Sequence, residues 1–165
     1  MASAFSLSLL NPAAPAEGPS NVVYTDASNG NSLNLTITNN SGFQVEIGGS
    51  AVGKYLYLLI PDSLINTQGA MALNAAAPWK IESYAPPPQP GSYFKFSLLP
   101  PNNGVSLANK GSLTISLTGF IAAQKGNGTL IINYQLNNNP HDDLNTSGLL
   151  LAMAKGTPQL SQLFG

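Results

Sequence analysis

Ser32-Leu33-Asn34-Leu35-Thr36-Ile37-Thr38-Asn39-Asn40-Ser41-Gly42-Phe43-Gln44-Val45-Glu46-Ile47 decides the fold class of this chain. Leu33, Leu35 and Ile37 alternate with Asn34, Thr36 and Thr38. A period of two belongs to a strand with one buried and one wet face, because successive side chains point to opposite sides of a sheet. Threonine suits the wet side, where its branched Cβ packs on the pleat. Asn39-Asn40-Ser41-Gly42 then offers residues that bend a backbone, and Phe43-Gln44-Val45-Glu46-Ile47 resumes the alternation. The stretch therefore predicts two strands joined as a hairpin.

The same period recurs along the chain. Leu113, Ile115 and Leu117 alternate with Ser and Thr in 111–119. Leu130, Ile132, Tyr134 and Leu136 share a face in 129–136, and Phe94, Phe96 and Leu98 share one in 93–98. Weaker strands are expected at 5–10, 22–25, 54–60, 79–84 and 147–153. With Gly, Asn and Pro punctuation between them, about nine short strands and little or no helix predict an all-β, antiparallel β-sandwich of the Ig-like or jelly-roll type. The stretch 64–77, broken by Gly69 and closed by Pro78, reads as a crossing loop with at most a short helix. The phrases 35–42 and 111–115 resemble strands of bacterial Ig-like modules. That resemblance implies the same sandwich; no family is claimed on it.

One domain is expected over residues 1–165. An N-terminal strand and Pro-rich crossing segment fill 1–19, the main body 20–155 and a tail 156–165. Met1-Ala2-Ser3-Ala4-Phe5 lacks the basic and apolar regions of a signal peptide. The apolar runs are too short to span a bilayer as helices.

Composition removes whole classes of chemistry. Charged residues are 8% of the chain and the net charge is −1. There is no Arg, and the six Lys are scattered singly. Phosphate tracking needs clustered basic side chains, so nucleic acid is a poor partner. Cysteine is absent, which excludes disulfides, thiolate catalysis and Cys-type zinc sites. The polar surface must come from Ser, Thr, Gln and 18 Asn. That balance points to an extracellular or surface-exposed setting. With so little net charge, self-association meets little electrostatic resistance.

Three aromatics and one loop are the candidate sites. An exposed Trp79, Tyr84 or Tyr93 beside amide-rich loops would stack on a sugar ring; the packing alternative makes Trp79 a core residue. Asn139, Asp142, Asp143 and Asn145 surround the only histidine, His141, and form an oxygen-rich cluster that would suit Ca²⁺. Their spacing is not that of an EF-hand, and a solvated turn explains the same residues. No Gly-x-Ser-x-Gly elbow occurs, and no pair of acidic residues is singled out as glycosidase carboxylates. The sequence thus predicts no catalytic residues and no cofactor. It predicts a non-catalytic structural or adhesive module of a surface protein, fibre or assembly, whose partners are proteins, itself included. A lectin-like, glycan-binding module is the alternative.

Overall fold

The computed structural model describes residues 5–27, 29–47, 54–101, 104–136 and 139–154, with the backbone alone at 54, 55, 135, 136 and 139–145. In chain order the elements are β1 (Phe5–Leu10), β2 (Val22–Tyr24), β3 (Asn31–Asn39), β4 (Val45–Ile47), β5 (Lys54–Pro61) and α1 (Thr67–Ala72). They continue with β6 (Asn74–Ala75), β7 (Lys80–Ala85), β8 (Tyr93–Leu99), β9 (Val105–Leu107), β10 (Ser112–Phe120), β11 (Gly126–Leu136) and β12 (Asn139–Met153).

Alternation sorts these strands into two layers. One sheet has the order β1-β3-β10-β6 and the other β2-β12-β11-β5-β8-β7, with a separate ribbon of β4 and β9. Leu33, Leu35, Ile37, Ile115 and Leu117 from the first sheet meet Leu58, Ile60, Phe96, Leu130, Ile132 and Leu150 from the second in one buried core. The rings of Phe5 (β1) and Tyr134 (β11) meet edge-on across the layers at 5.8 Å. That geometry sets the positive edge of one ring against the negative face of the other. The fold is an all-β sandwich. The pairings within its sheets are antiparallel except for β2 on β12, which is parallel.

The expected hairpin at 32–47 does not form. β3 is flanked by β1 and β10, so both its edges are occupied, while β4 pairs with β9. The bend is nevertheless present, and Asn39 builds it. Its side chain is fully buried, accepts from Ser41 N at 2.9 Å and donates to the carbonyls of Phe43 at 2.8 Å and Leu107 at 3.0 Å. Such bonds satisfy backbone groups that no ladder reaches. The chain therefore leaves the sheet at Asn39 rather than folding back on it.

Two other asparagines do the same work elsewhere. Asn31 is buried and bonds Tyr24 N, Tyr24 O and Phe120 O. Asn11 is buried where the chain crosses from β1 in one sheet to β2 in the other, bonding Val22 O and Ala13 N. The chain crosses again through 62–73, where Asn66 caps α1 by accepting from Gly69 N. This short helix is the one that the 64–77 stretch allowed. Among the described residues there are more strands than expected, because β6 and β9 are too short to show a period.

Gly119 permits a further close approach. It sits at positive φ beside an irregularity in β10, and a Cβ there would lie 2.5 Å from the carbonyl oxygen of Ala72. Only glycine allows α1 and β10 to meet in this way.

Candidate functional site

A sandwich has two outer faces, and here they differ in kind. On the four-stranded sheet the register aligns Ser6, Thr38 and Ser112 in one row and Ser8, Thr36 and Thr114 in the next. Leu10, Asn34 and Ser116 form a third row. The hydroxyls bond sideways between strands, Thr38 to Ser112 at 2.7 Å and Thr36 to Thr114 at 3.1 Å. Ser116 donates to Asn34 at 2.7 Å. This is the wet face predicted from the Thr-rich strands.

The outer face of the six-stranded sheet is a different surface. Inward parity belongs to Leu58, Ile60, Leu130, Ile132 and Leu150, so Leu59, Ile131, Leu149 and Leu151 point outward. Tyr57 shares their side. Ile131 is registered opposite Leu59, and Leu59 opposite Lys95. Leu149 is 51% exposed. The apolar band runs from β12 across β11 to β5, flanked by Ser147, Thr129 and Ser97. Among the described side chains of β12, β11, β5 and β8 that share this face, Lys95 carries the only charge. Its ammonium lies 4.1 Å over the Tyr57 ring, where the ring's negative face attracts it.

Among the described residues, one polar group on this side has no partner. The Oδ1 of Asn133, between Ile131 and Gln135 on β11, is buried and accepts no hydrogen bond from them. An acceptor so placed loses its water without compensation.

The sequence could have disclosed this face. In Leu56-Tyr57-Leu58-Leu59-Ile60, Leu130-Ile131-Ile132 and Leu149-Leu150-Leu151 the apolar residues occupy both parities. An unbroken apolar run on an antiparallel strand means two apolar sides.

The three candidate aromatics are not brought together. Trp79 is 7% exposed and belongs to the core, as the packing alternative has it. Tyr84 faces inward on β7, registered opposite Phe96, with ring centroids 5.9 Å apart. Tyr93 is half-buried on the opposite side of the sheet, in register with Pro61. The candidate cation ligands Asn139, Asp142, Asp143 and Asn145 fall within β12, whose backbone pairs with β11 (Asn145 with Asn133, Asn139 with Leu136). Their side chains, and that of His141, lie outside the described residues. Among the described residues, no three His or acidic side chains converge as a metal site would require.

Two of the described acidic groups serve local structure. Asp62 accepts from Gly91 N at 2.9 Å. Glu46 accepts from Gln44 at 2.8 Å and Ser106 at 2.5 Å. Burial, aided by the nearby Asp26 carboxylate, raises the pKa of the Tyr24 phenol.

No protein-family model and no curated protein matches the chain. Among solved structures, AvmM, which catalyzes macrocyclization in alchivemycin A biosynthesis, aligns over 96% of this chain and 93% of its own, at TM-score 0.51 and 11% identity. A GH20 exo-β-N-acetylglucosaminidase from Vibrio harveyi, in complex with N-acetylglucosamine, aligns over 96% of this chain and 19% of its own. Its TM-score is 0.37 and its identity 13%. The periplasmic chaperone SfaE aligns over 96% and 62%, at TM-score 0.32 and 13% identity. The first shares this chain's architecture, and an architecture hosts many chemistries. The other two likenesses are too loose to carry even that. Fold and surfaces together define a β-sandwich module with one hydroxyl-lined and one apolar outer face.

Proposed function

We propose that this chain is a non-catalytic, structural or adhesive β-sandwich module that works by protein association through the outer face of its six-stranded sheet. The observation that carries the reading is the apolar band Leu149, Ile131, Leu59 and Tyr57 on a face that antiparallel sandwiches ordinarily line with polar residues. Leu149 is exposed and Ile131, Leu59 and Tyr57 are half-buried beside it, and contiguous apolar surface open to solvent marks interaction sites. The hydroxyl-lined face of the same molecule shows the usual composition and serves as the internal contrast.

The edges of the six-stranded sheet favour a face over an edge as the point of contact. β7 carries Lys80 and Glu82, a register shift between Ile81 and Ser83, and then Pro86-Pro87-Pro88. β2 has only three residues. Charge, bulge, proline and shortness all discourage strand addition. The module needs no cofactor in this reading, and its setting is extracellular or surface-exposed, in keeping with a surface built from Asn, Ser and Thr.

Light scattering over a concentration series, with calcium and then with chelator, tests the reading. Association indifferent to chelation supports it. A strict monomer that binds a glycan array, and loses that binding with Tyr93→Ala, replaces it with the lectin-like alternative.

A further inference from the structure

We infer a second point of contact, independent of the outer face of the six-stranded sheet: the free edge of β1 takes an extended, uncharged peptide segment of a partner protein as an added strand. Hydrogen-bond parity locates this edge. In an antiparallel ladder, successive residues bond to alternate sides. The Asn39 amide donates to the Gly111 carbonyl at 2.9 Å, so the odd residues of β3 bond β10 and the even ones bond β1. With Ser6 opposite Thr38 and Ser8 opposite Thr36, the backbone groups of Leu7 and Leu9 point away from the sheet. Asn11 continues that parity and donates its amide outward, to Ser20 O at 2.7 Å. Among the described residues, nothing meets the outward amides and carbonyls of Leu7 and Leu9.

The other sheet edges carry devices against strand addition, and β1 carries none. β7 has its charges, register shift and prolines, and β12 beyond β2 has Pro140, Asp142 and Asp143 in its sequence. β6 has two residues and leaves only Ser112–Ile115 of β10 uncovered, just after Lys110. β1 has six residues, no charge, no proline and an unbroken register against β3. Such an edge is a template for another backbone. Leu7 shows that the inner side is open as well: it points inward with Phe5 and Leu9, yet it is half-buried where they are buried. Unpaired amides and carbonyls on a strand select an extended main chain, and the flanking side chains select its residues. The side chain set beside Leu7 must be apolar. Those set beside Ser6 and Ser8 must be small or hydroxylated. No charged residue stands on β1 or β3 to pair with a charge on the incoming strand.

The probe is a synthetic peptide with the sequence of residues 32–38, Ser-Leu-Asn-Leu-Thr-Ile-Thr, which β1 already accepts on its other side. Amide exchange of the full chain is followed by NMR with and without it. In the free protein the Ser6 and Ser8 amides, bonded to β3, should exchange slowly and those of Leu7 and Leu9 quickly. Saturating peptide should slow Leu7 and Leu9 by roughly 10-fold or more. Set in antiparallel register, the peptide turns the amides of its Leu33, Leu35 and Ile37 positions to β1. Methyl groups on those nitrogens should weaken binding by roughly 10-fold or more, and methyl groups on its Asn34, Thr36 and Thr38 nitrogens should not. Three results would overturn the inference. One is slow exchange of Leu7 and Leu9 in the dilute protein alone, which means that the chain itself or a second copy covers the edge. Another is no binding at about 1 mM peptide. The third is binding that ignores which amides are methylated. None of these touches the apolar face of the six-stranded sheet, so the proposed function stands or falls separately, on light scattering and the glycan array.

Discussion

The side-chain amide of Asn39 donates to the backbone carbonyl of Leu107, 68 positions away, at 3.0 Å. Asn39 also pairs its backbone with Lys110 and Gly111 and its side chain with Ser41 and Phe43. One buried residue thereby joins the end of β3 to the β4–β9 ribbon and to the start of β10. Asn39→Ala removes a donor from the Leu107 carbonyl, while the Phe43 carbonyl keeps the Ser41 hydroxyl as a donor, so urea denaturation should show a loss of about 1–3 kcal/mol. Asn39→Asp should be at least as damaging, since it sets acceptors against acceptors.

Asn133 predicts the opposite sign. Its Oδ1 is buried and meets no donor among the described residues. Asn133→Val removes that acceptor and puts a β-branched side chain on a strand, which should raise stability by about 1 kcal/mol. A rise in thermal midpoint checks it; an unchanged or lower midpoint means that the amide oxygen is hydrogen-bonded in solution.

Two glycines separate steric from conformational demands. Gly119 has φ +69 and the Ala72 carbonyl 2.5 Å from a built Cβ. Gly42 has φ +97 with nothing within 4 Å. Gly42→Ala should cost about 1 kcal/mol, the backbone penalty alone. Gly119→Ala should cost about 3 kcal/mol, because overpacking is added. Denaturation midpoints of the two variants give the comparison directly.

Stability should fall in alkali through Tyr24. Its phenol has a pKa raised above the ordinary 10.0, first by burial and then by Asp26. The folded state therefore holds the proton more tightly than the unfolded one. This contribution is fully present below pH 10 and is lost as pH rises through the folded value. Denaturant midpoints followed upward from neutral pH should decline past that point, and less steeply in Tyr24→Phe.

The alternation in 32–38, 93–98, 113–117 and 129–136 determined by itself that this chain is an all-β sandwich, and which side chains of those strands turn to its core. A period of two is local, and one apolar parity can be satisfied only by burial against another sheet. The wet hydroxyl face was legible for the same reason. Strand partnership was not. Asn39–Gly42 reads as a hairpin turn, yet β3 finds its neighbours at β1 and β10, because partnership is settled by which edges remain open after the rest of the chain has folded. The buried roles of Asn11, Asn31 and Asn39 are equally invisible in sequence, where asparagine signals only a bend. Trp79, Tyr84 and Tyr93 lie close in sequence but are divided among the core and the two sides of a sheet, since a strand sends neighbours to opposite faces. The apolar outer band lay in plain view in runs such as Leu149-Leu150-Leu151. That its second parity faces outward on the six-stranded sheet, rather than lying under another layer, was decided only by the tertiary structure, because a strand's second face is defined by what packs upon it.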